Sequence, residues 1–154
     1  MQPRARAAAF VLAGGFVAAT LDIVYAWLFW YIRAGTSVER VLQSVAAGLL
    51  GASSFQGGRP AALLGLVLHY AIATTMAIAY YVVAGRMPAF VRRPVVFGLA
   101  YGLLLYAIMN FIVVPLSAAG RGSTDAWWVG LTILVHMVFI GVPIALAARR
   151  ALGH

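Results

Sequence analysis

The sequence predicts an all-α integral membrane four-helix bundle. Both termini are cytoplasmic, and a short amphipathic helix occupies the outer loop between spans 1 and 2. Three observations carry that prediction. Of 154 residues, 64% are hydrophobic and 9% are charged, against roughly 45–50% and about 25% in soluble domains. The mean hydropathy is +0.98. The apolar residues gather into four long runs, and the charges stand at the ends of those runs rather than inside them.

A helix that crosses a bilayer needs about 20 mostly apolar residues. Runs at about 7–32, 61–84, 94–116 and 126–148 meet that length, so the whole chain, 1–154, reads as a single transmembrane domain. None alternates with period 2, which favours helices over outer-membrane strands. The first run is too long for the core of a signal peptide and ends in Trp27, Trp30 and Tyr31, so it reads as a permanent helix. With Trp127 and Trp128 at the start of span 4, these residues form an aromatic belt.

Orientation follows from the basic residues, all 11 of them Arg. Arg4, Arg6, Arg86, Arg92, Arg93, Arg149 and Arg150 fall on one side, and Arg33, Arg40, Arg59 and Arg121 on the other. The positive-inside bias places the richer side in the cytoplasm. That also accounts for the net charge of +8 without a nucleic-acid partner. The chain has no Cys, which excludes disulfides, thiolate metal sites and Cys nucleophiles.

Between spans 1 and 2, Thr36 and Glu39 have the spacing of a capping box. Val38, Val41, Leu42, Val45, Ala46, Leu49 and Leu50 then recur on one helical face over about 37–50. Glu39, Arg40, Gln43 and Ser44 take the opposite face. At this length the helix lies in the interface or caps the bundle. Arg59 and Pro60 lead into span 2.

Within the spans the ionisable and amide side chains are few. Asp22, His69, Tyr106, Asn110 and His136 lie at similar depths, in a slab roughly 6 Å thick at about 1.5 Å per residue. Small residues share their faces: Gly15, Ala18, Ala19 and Ala26 with Asp22, and Ala62, Gly65 and Ala73 with His69. Gly98 and Gly102 step toward Tyr106 and Asn110 as a small-xxx-small packing signal.

Intramembrane ionisable groups are costly and mark function by default, while the same groups also serve as interhelical hydrogen-bonding glue. Both readings stand. As a working site, the layer suits ion, proton or small-solute handling, with Pro115, Gly141 and Pro143 placed to break spans 3 and 4. As glue, it suits a non-catalytic accessory subunit of a membrane complex. A third reading is redox: a divalent metal on His69, His136 and Asp22, or haem b held by His69 and His136 with nearby glycines clearing room for the ring. No hydrolase motif is visible, and the chain leans away from enzyme chemistry. Beyond the lipid bilayer, the expected partners are further copies of the chain or a larger membrane complex.

Arg40, Leu42, Gln43 and Ser44 with Gly57-Gly58, then Leu68-His69-Tyr70, then Gly102, Met109-Asn110 and Val114-Pro115-Leu116-Ser117 carry a resemblance. Over about half its length the chain resembles a group of uncharacterised small bacterial inner-membrane proteins with four helices. The resemblance implies a multi-pass protein of the bacterial cytoplasmic membrane and no established activity.

Overall fold

The computed structural model describes residues 3–120 and 122–153. Arg121, counted above among the outer arginines, lies outside them, as does His154. Among the described residues the fold is all-helical, without strands. Four helices are long and apolar enough to cross a membrane: Arg4–Ala34, Gly58–Ala84, Pro94–Leu116 and Ala126–Ala151. We label the helices α1 (Pro3–Ala34), α2 (Val38–Leu50), α3 (Gly58–Ala84), α4 (Pro88–Arg92), α5 (Pro94–Leu116) and α6 (Ala126–Ala151). The short helix α4 was not expected from the sequence; Pro88 opens it at a position where the missing N–H costs nothing.

α1 packs along both α3 and α6, and α5 packs along α6. α3 and α5 are joined by side chains rather than by close backbone packing. The Tyr101 hydroxyl donates to the Met76 carbonyl at 2.9 Å, and the Tyr80 and Tyr101 rings meet edge to face at 5.0 Å. That link lies toward the end of the bundle that carries the described termini and α4. There the core is tight, built on Tyr80, Ile144 and the alanines Ala18, Ala77, Ala145 and Ala148. Toward the α2 end the bundle opens.

Glycine makes the close crossings. A methyl on Gly102 would run into the His136 carbonyl, and one on Gly141 into the Gly98 carbonyl. α5 and α6 therefore touch backbone to backbone, which small residues permit in an environment where lipid tails are as apolar as Leu. Gly65 plays the same part for α2, because a methyl there would overlap the Leu42 carbonyl.

Pro115 and Pro143 do not break their helices. Each is preceded by a widened π turn, Met109–Val113 in α5 and His136–Gly141 in α6. Proline lacks an N–H and crowds the carbonyl four residues back. Widening the turn removes that clash: the Val114 N–H reaches the Met109 carbonyl, five residues back. Such turns often sit at functional positions.

α2 differs from the sequence reading in two respects. Its N-cap is Ser37, not Thr36, since the Ser37 hydroxyl accepts the Arg40 N–H at 3.2 Å. Its buried face carries Val41, Gln43, Ala46 and Ala47, while Val38, Leu49 and Leu50 are exposed. Gln43, expected on the polar face, is only 4% exposed. The burial is tolerated because its amide donates to the Gly58 carbonyl at 3.1 Å and to Glu39 at 3.4 Å. α2 thus packs against α3, and its far end reaches the loop after α5, where the Ala118 N–H donates to the Gly48 carbonyl at 3.0 Å. It caps the open end of the bundle.

Candidate functional site: a polar chamber beneath α2

The open end holds a partly open chamber of about 320 Å³. α1 contributes Ala18, Ala19, Asp22, Ala26 and Trp30 to its wall, and α3 contributes His69, Ile72, Ala73 and Met76. Met109, Asn110, Val113 and Val114 come from α5, and Trp128, Thr132 and His136 from α6. Val41, Ser44, Val45 and Gly48 of α2 close it from above. The alanines flanking Asp22 keep the wall thin enough to leave this space, where larger residues would fill it.

Four of the five polar residues singled out in the spans, Asp22, His69, Asn110 and His136, line this chamber. Tyr106 does not. Its buried ring sits edge-on against His136 at 5.6 Å, and its carbonyl accepts the Asn110 amide at 3.0 Å. Tyr106 therefore supports two wall residues from behind.

Both imidazoles of the wall bond to backbone carbonyls. His69 Nε2 lies 2.8 Å from the Ala19 carbonyl, and His136 Nδ1 lies 3.0 Å from the Thr132 carbonyl. Each contact requires that ring nitrogen to carry the proton. The Asp22 carboxylate approaches His69 Nε2 at 4.0 Å, beyond hydrogen-bond range. Among the described residues no hydrogen bond to Asp22 is formed. The Asp22 side chain is 22% exposed and open to the chamber, with the His69 ring as its nearest titratable neighbour.

The fit of the redox readings can be tested on these contacts. Among the described residues, no three His, Asp or Glu side chains gather closely enough to hold a metal ion. Haem fares no better. The glycines expected to clear room for a macrocycle are occupied by neighbouring backbone: Gly65 by Leu42, Gly102 and Gly141 by the α5–α6 crossing. The His69 nitrogen facing Ala19 is likewise committed. The wall does not suit either group.

The outer-loop residues lie around the chamber's cap rather than in its wall. The Arg40 guanidinium stacks over Phe55 at 4.2 Å and reaches the Phe55 carbonyl at 3.4 Å, pinning the turn that links α2 to α3. Glu39 holds Gln43. Arg59 is exposed, apart from these contacts.

Several wall residues were missed at the sequence level. Thr132 bonds Tyr25 Oη at 3.1 Å and supplies the carbonyl that orients His136; its place four residues before His136 on one helical face was the available signal. Trp30 and Trp128, expected in the aromatic belt, also line the chamber and pack together at 5.2 Å. Trp128 also stacks on Tyr25 at 5.5 Å. Trp127, by contrast, is exposed. Next to this cluster Arg33 pairs with Asp125, the N-cap of α6. The Trp128 backbone N–H and the Arg33 guanidinium hold the Asp125 carboxyl below its usual range.

No protein-family model, curated protein or solved structure matches this chain. The site is therefore read from its own geometry.

Proposed function

We propose that the chain is a small multi-pass protein of the bacterial cytoplasmic membrane that handles an ion, proton or small solute in the chamber beneath α2. The observation that carries this reading is the Asp22 carboxylate. It faces a chamber of about 320 Å³ with no hydrogen bond among the described residues. Were the polar layer only interhelical glue, its charged member would be expected to be bonded across helices. Asp22 instead stands 4.0 Å from His69 without a hydrogen bond, while His69 itself bonds across to the Ala19 carbonyl, and the helices are further joined by glycine crossings and by the Tyr101–Met76, Thr20–Tyr70 and Tyr25–Thr132 bonds.

In this reading the termini and α4 face the cytoplasm and α2 the outside. Arg4, Arg6, Arg86, Arg92, Arg93, Arg149 and Arg150 support that orientation through the positive-inside bias. α2 and the Arg40–Phe55 turn then form the outer cap through which the chamber is reached.

The test is reconstitution into liposomes loaded with a pH-sensitive dye. Wild-type protein is expected to carry a pH-dependent flux that Asp22→Asn removes while the helical spectrum is kept. Equal flux in both proteins contradicts the role of Asp22. Absence of wild-type flux under any ion gradient contradicts the reading.

A further inference from the structure

Hydrogen-bond accounting within the chamber points to the kind of solute it takes. The Ser44 hydroxyl donates to the Val41 carbonyl at 2.6 Å, and the Ser117 hydroxyl to the Val114 carbonyl at 2.8 Å. His69 and His136 likewise give their bonded protons to the Ala19 and Thr132 carbonyls. With their protons spent, the two hydroxyl oxygens keep only unshared electron pairs to offer. To them the wall adds one negative charge, that of Asp22. Asn110 donates one amide N–H to the Tyr106 carbonyl, which leaves its side-chain oxygen as a further acceptor and its second N–H as a donor.

Such a wall disfavours anions, which would meet the Asp22 carboxylate. It suits a cation that brings its own donors. The rest of the wall is apolar and aromatic. It includes Trp30 and Trp128, whose rings meet at 5.2 Å, and the flexible thioethers of Met76 and Met109. Aromatic faces offer large apolar area to an alkyl chain, and thioethers adapt to varied alkyl shapes. At about 320 Å³ the space is at the lower edge of small-molecule sites.

We propose that the chamber binds a small primary organic amine in its ammonium form. The –NH₃⁺ group donates to Asp22 and its neighbouring acceptors, and the alkyl part lies against Trp30 and Trp128. This rests on the reading of the chamber as a working site, and names the class of solute it holds.

The test uses the tryptophans of the wall. Detergent-purified protein is titrated with n-butylammonium, with butyrate as the anion of matching shape, and tryptophan emission is followed. The expected result is a saturable change with n-butylammonium and none with butyrate. Asp22→Asn is expected to weaken the response by roughly tenfold or more, the loss of one charge-assisted hydrogen bond, with the helical spectrum unchanged. As a check that does not depend on replacing the acid, Ala26→Leu, which fills the chamber, should also abolish the response. Equal responses to butyrate, or an n-butylammonium response undiminished in both variants, overturn the proposal. So does the absence of any response in wild-type protein. In that last case a persisting Asp22-dependent flux in liposomes leaves the working-chamber reading standing and removes only the amine.

Discussion

The glycine crossing between α5 and α6 makes a quantitative demand on stability. A methyl built on Gly98 lies 2.8 Å from the Gly141 carbonyl oxygen and 3.0 Å from the Val142 Cα. Ordinary contact begins near 3.4 Å, so the helices must part by 3.4 − 2.8 = 0.6 Å at that point. Both obstructing atoms are backbone, and no side-chain rotation relieves them. Overpacking of this kind costs roughly 1–3 kcal/mol. Against that, Ala in place of Gly recovers about 0.5–1 kcal/mol of helix preference. Gly98→Ala is thus expected to lose on the order of 1 kcal/mol net. Gly130 is the internal control: it lies in α6 with nothing within 4 Å of an added methyl. Gly130→Ala should be neutral or gain up to about 1 kcal/mol. Reversible unfolding in mixed micelles, followed by tryptophan emission against the fraction of denaturing detergent, reads both. Equal stability of the two variants would refute the backbone-to-backbone crossing.

Three other outcomes follow from contacts elsewhere in the bundle. Tyr101→Phe removes the hydroxyl bond to Met76 and should cost about 0.5–1.5 kcal/mol in the same titration; an unchanged midpoint speaks against a side-chain bridge between α3 and α5. Gln43→Leu takes away the donor to the Gly58 carbonyl and should loosen α2, so that its amides exchange with solvent faster, while unaltered exchange would mean the cap is held by other contacts. Asp125 is held below its ordinary value of 3.8 by the Trp128 N–H and Arg33. A lowered carboxyl adds stability above its unfolded pKa and loses it as pH falls through the folded value. Acid unfolding of Asp125→Asn should therefore be flatter than wild type below about pH 4, and superimposable acid limbs would exclude the contribution.

The spans were legible because continuous apolar length is a one-dimensional property. The structure starts the first span a few residues earlier than expected and extends the last to Ala151, boundaries that hydropathy resolves poorly. The shared depth of Asp22, His69, Asn110 and His136 was also legible, since helical rise converts sequence position into depth. What these residues face was not. Tyr106 has the same depth as its neighbours, yet its ring sits behind His136 outside the chamber wall. Only the rotation of α5 about its axis, set by the Gly98 and Gly102 crossings, decides that.

Gln43 was misplaced for a related reason. Polarity patterning assigns an amide to the solvent face, but an amide whose partners are Glu39 and the Gly58 carbonyl can be buried. The Gly58 carbonyl comes to Gln43 only once the chain has turned back through Gly51–Gln56. Pro115 and Pro143 signalled irregular helices correctly, yet the sequence does not say whether such a helix breaks or widens. The glycines near His69 and His136 were open to a reading as space for a cofactor. They turned out to be the places where neighbouring backbone comes closest.

In the function proposed above the polar layer faces a chamber reached from the α2 side, and the absence of Cys allows a direct test. Ala26 lines the chamber, and Leu28, two residues on, is exposed on the outer surface of the bundle. Each is replaced singly by Cys in membrane vesicles of known orientation, and a charged, membrane-impermeant thiol reagent is added to one side at a time. Ala26→Cys is expected to react from the α2 side and not from the side of the termini, while Leu28→Cys, shielded by lipid, reacts from neither. A protected Ala26→Cys on both sides would mean that the layer is dry packing and would contradict the account.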